Sequence, residues 1–305
     1  MIDTQAGELP RYGRLMRAAT IASVSVALVL IAAKGVAWFM TGSIAMLATL
    51  LDSVLDAAAS LVNLYAVQHS LSPADREHRF GHGKAEPLAG LAQSTFIAGS
   101  AVFLFVEAGR HLAEPHGIES GDLGFAVMGL SIALTIVLVL FQRIVIARTG
   151  SIAIKADRLH YKGDLLANLS VVAALVLSIQ FGWLWADPAL GLGVAIYILW
   201  SAWGIVRQSL DQLMDRELPE SERKRIRTVV MEHPDVLDMH DLRTRASGQD
   251  VFIQLHIEMD AAMSLLRAHD VADEVEVRVR DAFPGAEVLI HQDPAGIDEA
   301  RKRFG

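Results

Sequence analysis

The chain reads as an α-helical membrane protein: a six-transmembrane-helix bundle followed by a cytoplasmic α+β domain of αββαβ order. Three observations predict this. Of the 305 residues, 52% are hydrophobic. Up to about residue 210 they are gathered into long apolar runs, and beyond it charge is dense and the apolar runs are short. The expected division is a transmembrane domain at 1–210 and a soluble domain at 211–305, the latter large enough for one small core.

About 20 apolar residues cross the hydrocarbon of a bilayer. Six runs reach that length: Ala18–Met40, Ile44–Gln68, Leu88–Leu112, Leu123–Ile146, Ala156–Phe181 and Pro188–Val206. Thr41-Gly42-Ser43 makes a tight turn between spans one and two, and Asp187-Pro188 places an acid before proline at the opening of span six. Basic residues orient the bundle. Arg11, Arg14 and Arg17 precede span one; Arg76, Arg79 and Lys84 follow span two; Arg143, Arg148, Lys155 and Arg158 lie around the junction of spans four and five. The opposite connections hold only Arg110, so both termini and the C-terminal domain are expected in the cytoplasm. The first apolar run is too long for the core of a cleavable signal and has no small-residue cleavage pattern after it.

Composition removes several classes of function. With no cysteine there is no disulfide and no thiolate metal site, and soft Cu(I) becomes an unsuitable cargo, although methionines remain. No basic stripe with interleaved aromatics points to nucleic acid. The net charge of −8 decides little, because the acidic excess is partly in the C-terminal region.

Acids inside the spans carry the chemistry. Asp52 and Asp56 lie in span two, and His160 and Asp164 in span five. Each pair has i, i+4 spacing, which puts both side chains on one helical face. One charged residue at mid-membrane costs roughly 2.5–3.5 kcal/mol, so the two aspartates burden their helix by about 5–7 kcal/mol. If the two faces meet, three carboxylates and one imidazole converge on the volume of one ion. Hard oxygens with one borderline nitrogen suit Zn²⁺, Fe²⁺ and related first-row ions better than Mg²⁺ or Ca²⁺. Ligands that must lose protons to bind metal also suggest proton–metal exchange. Two other ionisable residues read as ordinary: Lys34 is expected to snorkel, and Glu107 lies near a membrane end. His69 and His111, at span ends, read as interface polar residues.

After Asp215 the pattern is helix, strand, strand, helix, strand. Glu220–His233 has helical charge spacing between Pro219 and Pro234. Val251, Ile253, Leu255, Ile257 and Met259 alternate on one strand face, with Gln254, His256 and Glu258 on the other. A helix over about Leu265–Phe283 and a strand at Glu287–His291 complete a small sandwich, ferredoxin-like in the metallochaperone manner. His291 and Asp293, two apart, share a face in extended backbone.

Asp52-x-x-x-Asp56 and His160-x-x-x-Asp164 do not stand alone. With them come Ser72-Pro73-Ala74-Asp75, Phe80-Gly81-His82-Gly83-Lys84, His240-Asp241-Leu242-Arg243-Thr244-Arg245 and His291-Gln292-Asp293-Pro294. In this order, over nearly the whole chain, the segments resemble the cation diffusion facilitator family, closest to its bacterial zinc and ferrous-iron efflux branch. The resemblance implies a homodimer of six-helix protomers in the bacterial inner membrane, no enzyme, exporting Zn²⁺ in exchange for protons, with Fe²⁺ and Cd²⁺ as further cargoes. It implies transport by Asp52, Asp56, His160 and Asp164. A second site falls in the loop at Asp75, His78 and His82, where glycines around His82 let a short loop fold back. A binuclear zinc site falls among His240, His256, His269, His291 and Asp293, with Asp293 bridging. Ala295 stands where relatives can carry a cysteine, so no thiol contributes. Two other readings are weighed. An intramembrane aspartyl protease would use Gly163-Asp164, but the fuller Gly-x-Gly-Asp motif is absent. A non-transporting metal sensor or scaffold on the same fold would be expected to have lost membrane ligands.

Overall fold

The computed structural model describes residues 8–113, 122–183 and 185–297. The ends of the two expected domains, 1–7 and 298–305, and the connection 114–121 between spans three and four lie outside the described residues. The described chain runs α1 (Glu8–Thr41), α2 (Ile44–Ser70), α3 (Ala85–Ala113), α4 (Asp122–Thr149), α5 (Ile152–Phe181), α6 (Ala186–Leu213), α7 (Glu220–Met231), β1 (Asp238–Ser247), β2 (Asp250–Met259), α8 (Leu265–Ala282) and β3 (Ala286–Pro294). Pro10–Leu213 forms one compact unit, and the chain from Met214 onward forms another.

Helices α1 to α6 are each long and apolar enough to cross a membrane. Their outward faces carry large apolar side chains: Phe39 is 87% exposed, Ile179 75% and Trp200 76%. Water would penalise such a surface, whereas lipid is its natural solvent. In lipid the backbone must satisfy itself, which continuous helices do. Where the chain turns, local chemistry closes it. Gly42 adopts φ +62°, a left-handed conformation open to glycine, and the next residue, Ser43, caps α2 by accepting the Met46 N–H at 3.4 Å. Ser151 caps α5 through the Ile154 N–H at 3.2 Å, and Gly182 ends that helix at φ +71°.

The helices outrun the apolar spans. Helix α6 continues to Leu213, and α5 opens at Ile152, because caps rather than bilayer thickness end a helix. Asp187 sits inside the first turn of α6 rather than before it, where a carboxylate still complements the helix dipole.

In the C-terminal unit the sheet order is β1-β2-β3. β1 pairs with β2 antiparallel, and β2 pairs with β3 in parallel across the α8 crossover. The alternation read in β2 is present. Ile253, Leu255, Ile257 and Met259 are buried against Val271, Val275 and Val279 of α8 and Ile226 and Val230 of α7. Both helices therefore cover one face of the sheet. The opposite face carries His240, His256 and His291, which are direct neighbours in register across the three strands. A register shift follows His240, and Asp241 within it adopts φ +47°.

Candidate metal centre

Within the helical bundle, the middle of α2, at Asp56, meets the first half of α5. His160 Nε2 lies 3.0 Å from Asp56 Oδ1 and 3.7 Å from Asp164 Oδ2. One ligand atom from each of these three residues lies within 4.8 Å of the other two, which is the spread of a metal's coordination sphere. The His160 side chain is buried, and the Asp164 carboxylate is open to a cavity of about 510 Å³ lined by Phe96, Ile97, Phe103, Gly163 and Ile198. At Gly163 a Cβ would sit 3.1 Å from Ile198 Cδ1, so glycine lets α6 approach α5 beside the ligands. Asp52 lines the same cavity but does not join the three-ligand group. The expectation that four ligands converge is met by three. Asp52 and Asp56 are about 6 Å apart along the α2 axis, and a helix that crosses its neighbour brings only one turn to the closest point.

The loop after α2 gathers its own set. Asp75 Oδ1 is 3.4 Å from His78 Nδ1, and Asp75 Oδ2 is 3.3 Å from His82 Nε2. Asp75 accepts the backbone N–H groups of His78 at 2.7 Å and Glu77 at 2.9 Å, folding the loop on itself. The His78 N–H bond, seconded by that of Glu77, holds the Asp75 carboxyl below its ordinary pKa. Gly81 turns the backbone at φ +75° and returns His82 to the group. His69, read from sequence as an interface residue, packs its ring 4.5 Å from that of His82.

On the open face of the C-terminal sheet, Asp293 is the hub. Its Oδ2 lies 2.9 Å from His256 Nδ1 and 3.1 Å from His240 Nε2, and its Oδ1 lies 3.1 Å from His291 Nε2. Burial works to raise the Asp293 carboxyl pKa, but the His256 hydrogen bond and the surrounding imidazoles overcome it and hold the value below normal. One carboxylate touching three imidazoles, one oxygen to two rings and the other to the third, has the geometry of a bridging ligand. His269 is not part of this group. It lies exposed on α8 with Nε2 3.5 Å from Asp273, because α8 covers the apolar face of the sheet and the three histidines occupy the other.

Comparison with known proteins agrees with this architecture. The cation efflux transmembrane domain model matches residues 20–214, and the model of the cation efflux protein cytoplasmic domain matches 218–295. The chain belongs to the cation efflux family. Cation-efflux pump FieF of Yersinia pestis (strain Pestoides F) is 48% identical over 288 residues, covering 94% of this chain and 96% of that protein. The same figures hold for cation-efflux pump FieF of Yersinia pseudotuberculosis serotype O:3 (strain YPIII). Among solved structures, a Zn form of CzrB is 36% identical, covering 29% of this chain and 99% of that one, with a TM-score of 0.26. The family is one of metal transporters rather than catalysts.

Two residues of this cation efflux chain stand otherwise than its sequence suggests: from sequence Lys34 is expected to snorkel, and Asp157 is not singled out. Lys34 does not snorkel: its Nζ donates to Ser53 Oγ at 2.7 Å and to the Thr49 carbonyl at 3.2 Å. It lines a second cavity of about 150 Å³, whose wall also includes Asp52, Asp56 and Asp164. Asp157, three residues before His160, is fully buried. It accepts hydrogen bonds from Ser23 Oγ, from Gln142 Nε2 at 2.7 Å and from Gln93 Nε2 at 3.2 Å, tying α1, α3 and α4 to α5. Its signal in the sequence was the presence of Ser23, Gln93 and Gln142 inside apolar runs, where a polar side chain needs a partner.

Proposed function

We propose that the chain exports divalent transition-metal cations, Zn²⁺ foremost, from the cytoplasm across the bacterial inner membrane in exchange for protons, by alternating access. The observation that carries this reading is the convergence of Asp56, His160 and Asp164 on the wall of an open cavity amid six apolar helices. Asp52, on the same wall one turn away, is the fourth ligand that a bound ion would draw in. A carboxylate binds metal only when ionised and an imidazole only when its ligating nitrogen is unprotonated, so loading with metal from the cytoplasm releases protons. Proton entry from the other side then displaces the ion. Basic residues flanking the odd-numbered openings of the bundle support termini in the cytoplasm.

The remaining clusters serve regulation. The loop set Asp75, His78 and His82 is a second Zn²⁺ site at the membrane edge. The His240, His256, His291 and Asp293 face binds structural or regulatory Zn²⁺ and, with the matched C-terminal model named for dimerisation, belongs to a homodimer. Metal there biases which arrangement of the bundle is populated rather than conducting. Fe²⁺ and Cd²⁺ suit the same donor set.

The test is Zn²⁺ flux in proteoliposomes under an imposed pH gradient. Flux should rise with the gradient and fall at least ten-fold in Asp56→Ala, with Fe²⁺, Cd²⁺ and Mn²⁺ measured beside it. Flux indifferent to the gradient rules out proton exchange.

A further inference from the structure

Three acids in one membrane site pose a charge problem that a divalent ion does not solve. Asp52, Asp56 and Asp164 carry three negative charges when ionised, and a bound M²⁺ leaves one over. An uncompensated charge in the hydrocarbon region is costly, and buried charges persist where a partner balances them. The imidazole of His160, coordinating as a neutral ligand, contributes nothing to the balance.

The molecule holds one further charge at this place. All three acids also line the smaller cavity, and among the described residues Lys34 is the one lysine or arginine lining either of the two cavities that flank them. The rest of that wall is uncharged: Thr49, Ser53, Ser131, Thr135 and Asn168 are polar, and Ala27, Leu30 and Ala167 are apolar. The ammonium is held inward by Ser53, the neighbour of Asp52 in sequence, and by the Thr49 carbonyl. The other charges nearby are engaged elsewhere. Asp157 is enclosed by Ser23, Gln93 and Gln142, and Lys162 bonds the Tyr197 hydroxyl and lies over its ring.

We infer that Lys34 is the tethered counter-charge of the transport site, the fixed +1 that brings three carboxylates and one divalent cation to zero. The assignment rests on the efflux reading and deepens it: Lys34 positions no atom of the ion but sets the charge that a neutral loaded site must have. A site built this way accepts M²⁺ as the neutral combination and leaves a monovalent cation one charge short.

The experiment is a two-by-two cycle of Lys34→Gln and Asp52→Asn in full-length chain, reading Zn²⁺ flux in proteoliposomes and Zn²⁺ bound per chain by equilibrium dialysis. Lys34→Gln alone should lower flux at least ten-fold. On the Asp52→Asn background two carboxylates already balance the ion, so adding Lys34→Gln should cost nothing or restore flux several-fold. An equal ten-fold loss on both backgrounds would mean that Lys34 acts through Ser53 alone and overturns the assignment. So would unaltered flux in the single variant. If Lys34→Gln does not fold, Lys34→Arg takes its place: retained flux supports a role for charge, and ten-fold loss overturns it. Absence of flux from the unaltered chain would instead sink the efflux reading itself.

Discussion

The carboxylate of Glu86, on α3, accepts the main-chain N–H of Ile152 at the opening of α5, Oε1 to N 2.8 Å. Both residues are buried. The first N–H groups of a helix have no partner within it, so α5 is capped by its own Ser151 and by a side chain from another helix. That helix carries His160 and Asp164, and Glu86 thus fixes the height of two ligands from about two and about three turns below.

Replacing Glu86 by alanine removes the acceptor and leaves a buried N–H unmet, at about 1–3 kcal/mol. Glu86→Gln keeps an oxygen at the same place and should recover most of this. The expected outcome is a lower melting temperature and reduced Zn²⁺ flux for Glu86→Ala, with Glu86→Gln near the unaltered chain. Equal losses in both would show that charge, not the cap, is what matters there.

At the C-terminal sheet, Asp293 touches three imidazoles that no other acid among the described residues reaches together. Asp293→Asn keeps the shape but withdraws the charge. Zn²⁺ affinity of this cluster should fall by more than the roughly 10–100-fold that loss of a carboxylate merely orienting a ligand costs, because Asp293 would itself be the bridge. His269→Ala should change binding within one chain little, since His269 stands on the helix-covered side. Isothermal titration of the full chain carrying Asp56→Ala isolates this response from the transport site.

Much of this was legible in the sequence, and the physical reason is periodicity. Six spans announce themselves by length, β2 by its alternation, and the two ligand pairs by i, i+4 spacing in a medium that penalises charge. Periodicity says which residues share a face, but not where two faces cross. That is why Asp52 and Asp56 looked equivalent, though only Asp56 reaches the His160 group. Lys34 fails for a related reason: a long side chain in a span can turn to lipid headgroups or inward, and the choice is made by Ser53 and Thr49 on another helix. His269 was placed with the other histidines by the family resemblance, and within one chain it stands on α8, which covers the other face of the sheet.

The C-terminal domain offers a pH test away from any metal cluster. His233 Nδ1 accepts the Asp235 N–H at 3.2 Å, so its ring hydrogen is on Nε2, which meets Glu274 Oε2 at 3.0 Å. Arg267 joins Glu274 at 3.2 Å to Asp235 at 2.6 Å. The His233 bond first, then that of Arg267, holds the Glu274 carboxyl below its ordinary pKa. A depressed folded-state pKa stabilises above the unfolded value, about 4.3, and the contribution is lost as pH falls through the lower folded value. Amide hydrogen exchange in α7 and α8 should therefore be slower in the unaltered chain than in Glu274→Gln at pH 7. The difference should shrink as pH is taken below about 4.3. A difference that instead grew on acidification would reverse the sign of this linkage.

Asp157 separates two roles that a buried membrane acid can have, a needed charge or a hub of hydrogen bonds. Its Oδ2 accepts from Ser23 and Gln142, and its Oδ1 accepts from Gln93. In Asp157→Asn the amide oxygen can keep the first two partners while its NH₂ turns toward Gln93. There it would face another donor, but the Gln93 amide has an unpartnered buried oxygen and can rotate to present it. The three bonds of the hub are then rebuilt, the Gln93 NH₂ taking the unpartnered place its oxygen had held, and the cost should stay within about 1.5 kcal/mol, the net worth of one ordinary hydrogen bond. Asp157→Ala offers no such repair. Ser23 can fall back on the Ala19 carbonyl at 3.1 Å and Gln142 on Ser23 at 3.1 Å, but the Gln93 NH₂ is stranded beside a new void. One buried unmet donor and the lost volume together cost on the order of 3 kcal/mol. Thermal unfolding and Zn²⁺ flux should thus be near normal in the asparagine variant and impaired in the alanine variant. If both variants lost flux alike while the asparagine variant kept its melting temperature, the hub account would fail and the charge itself would be required.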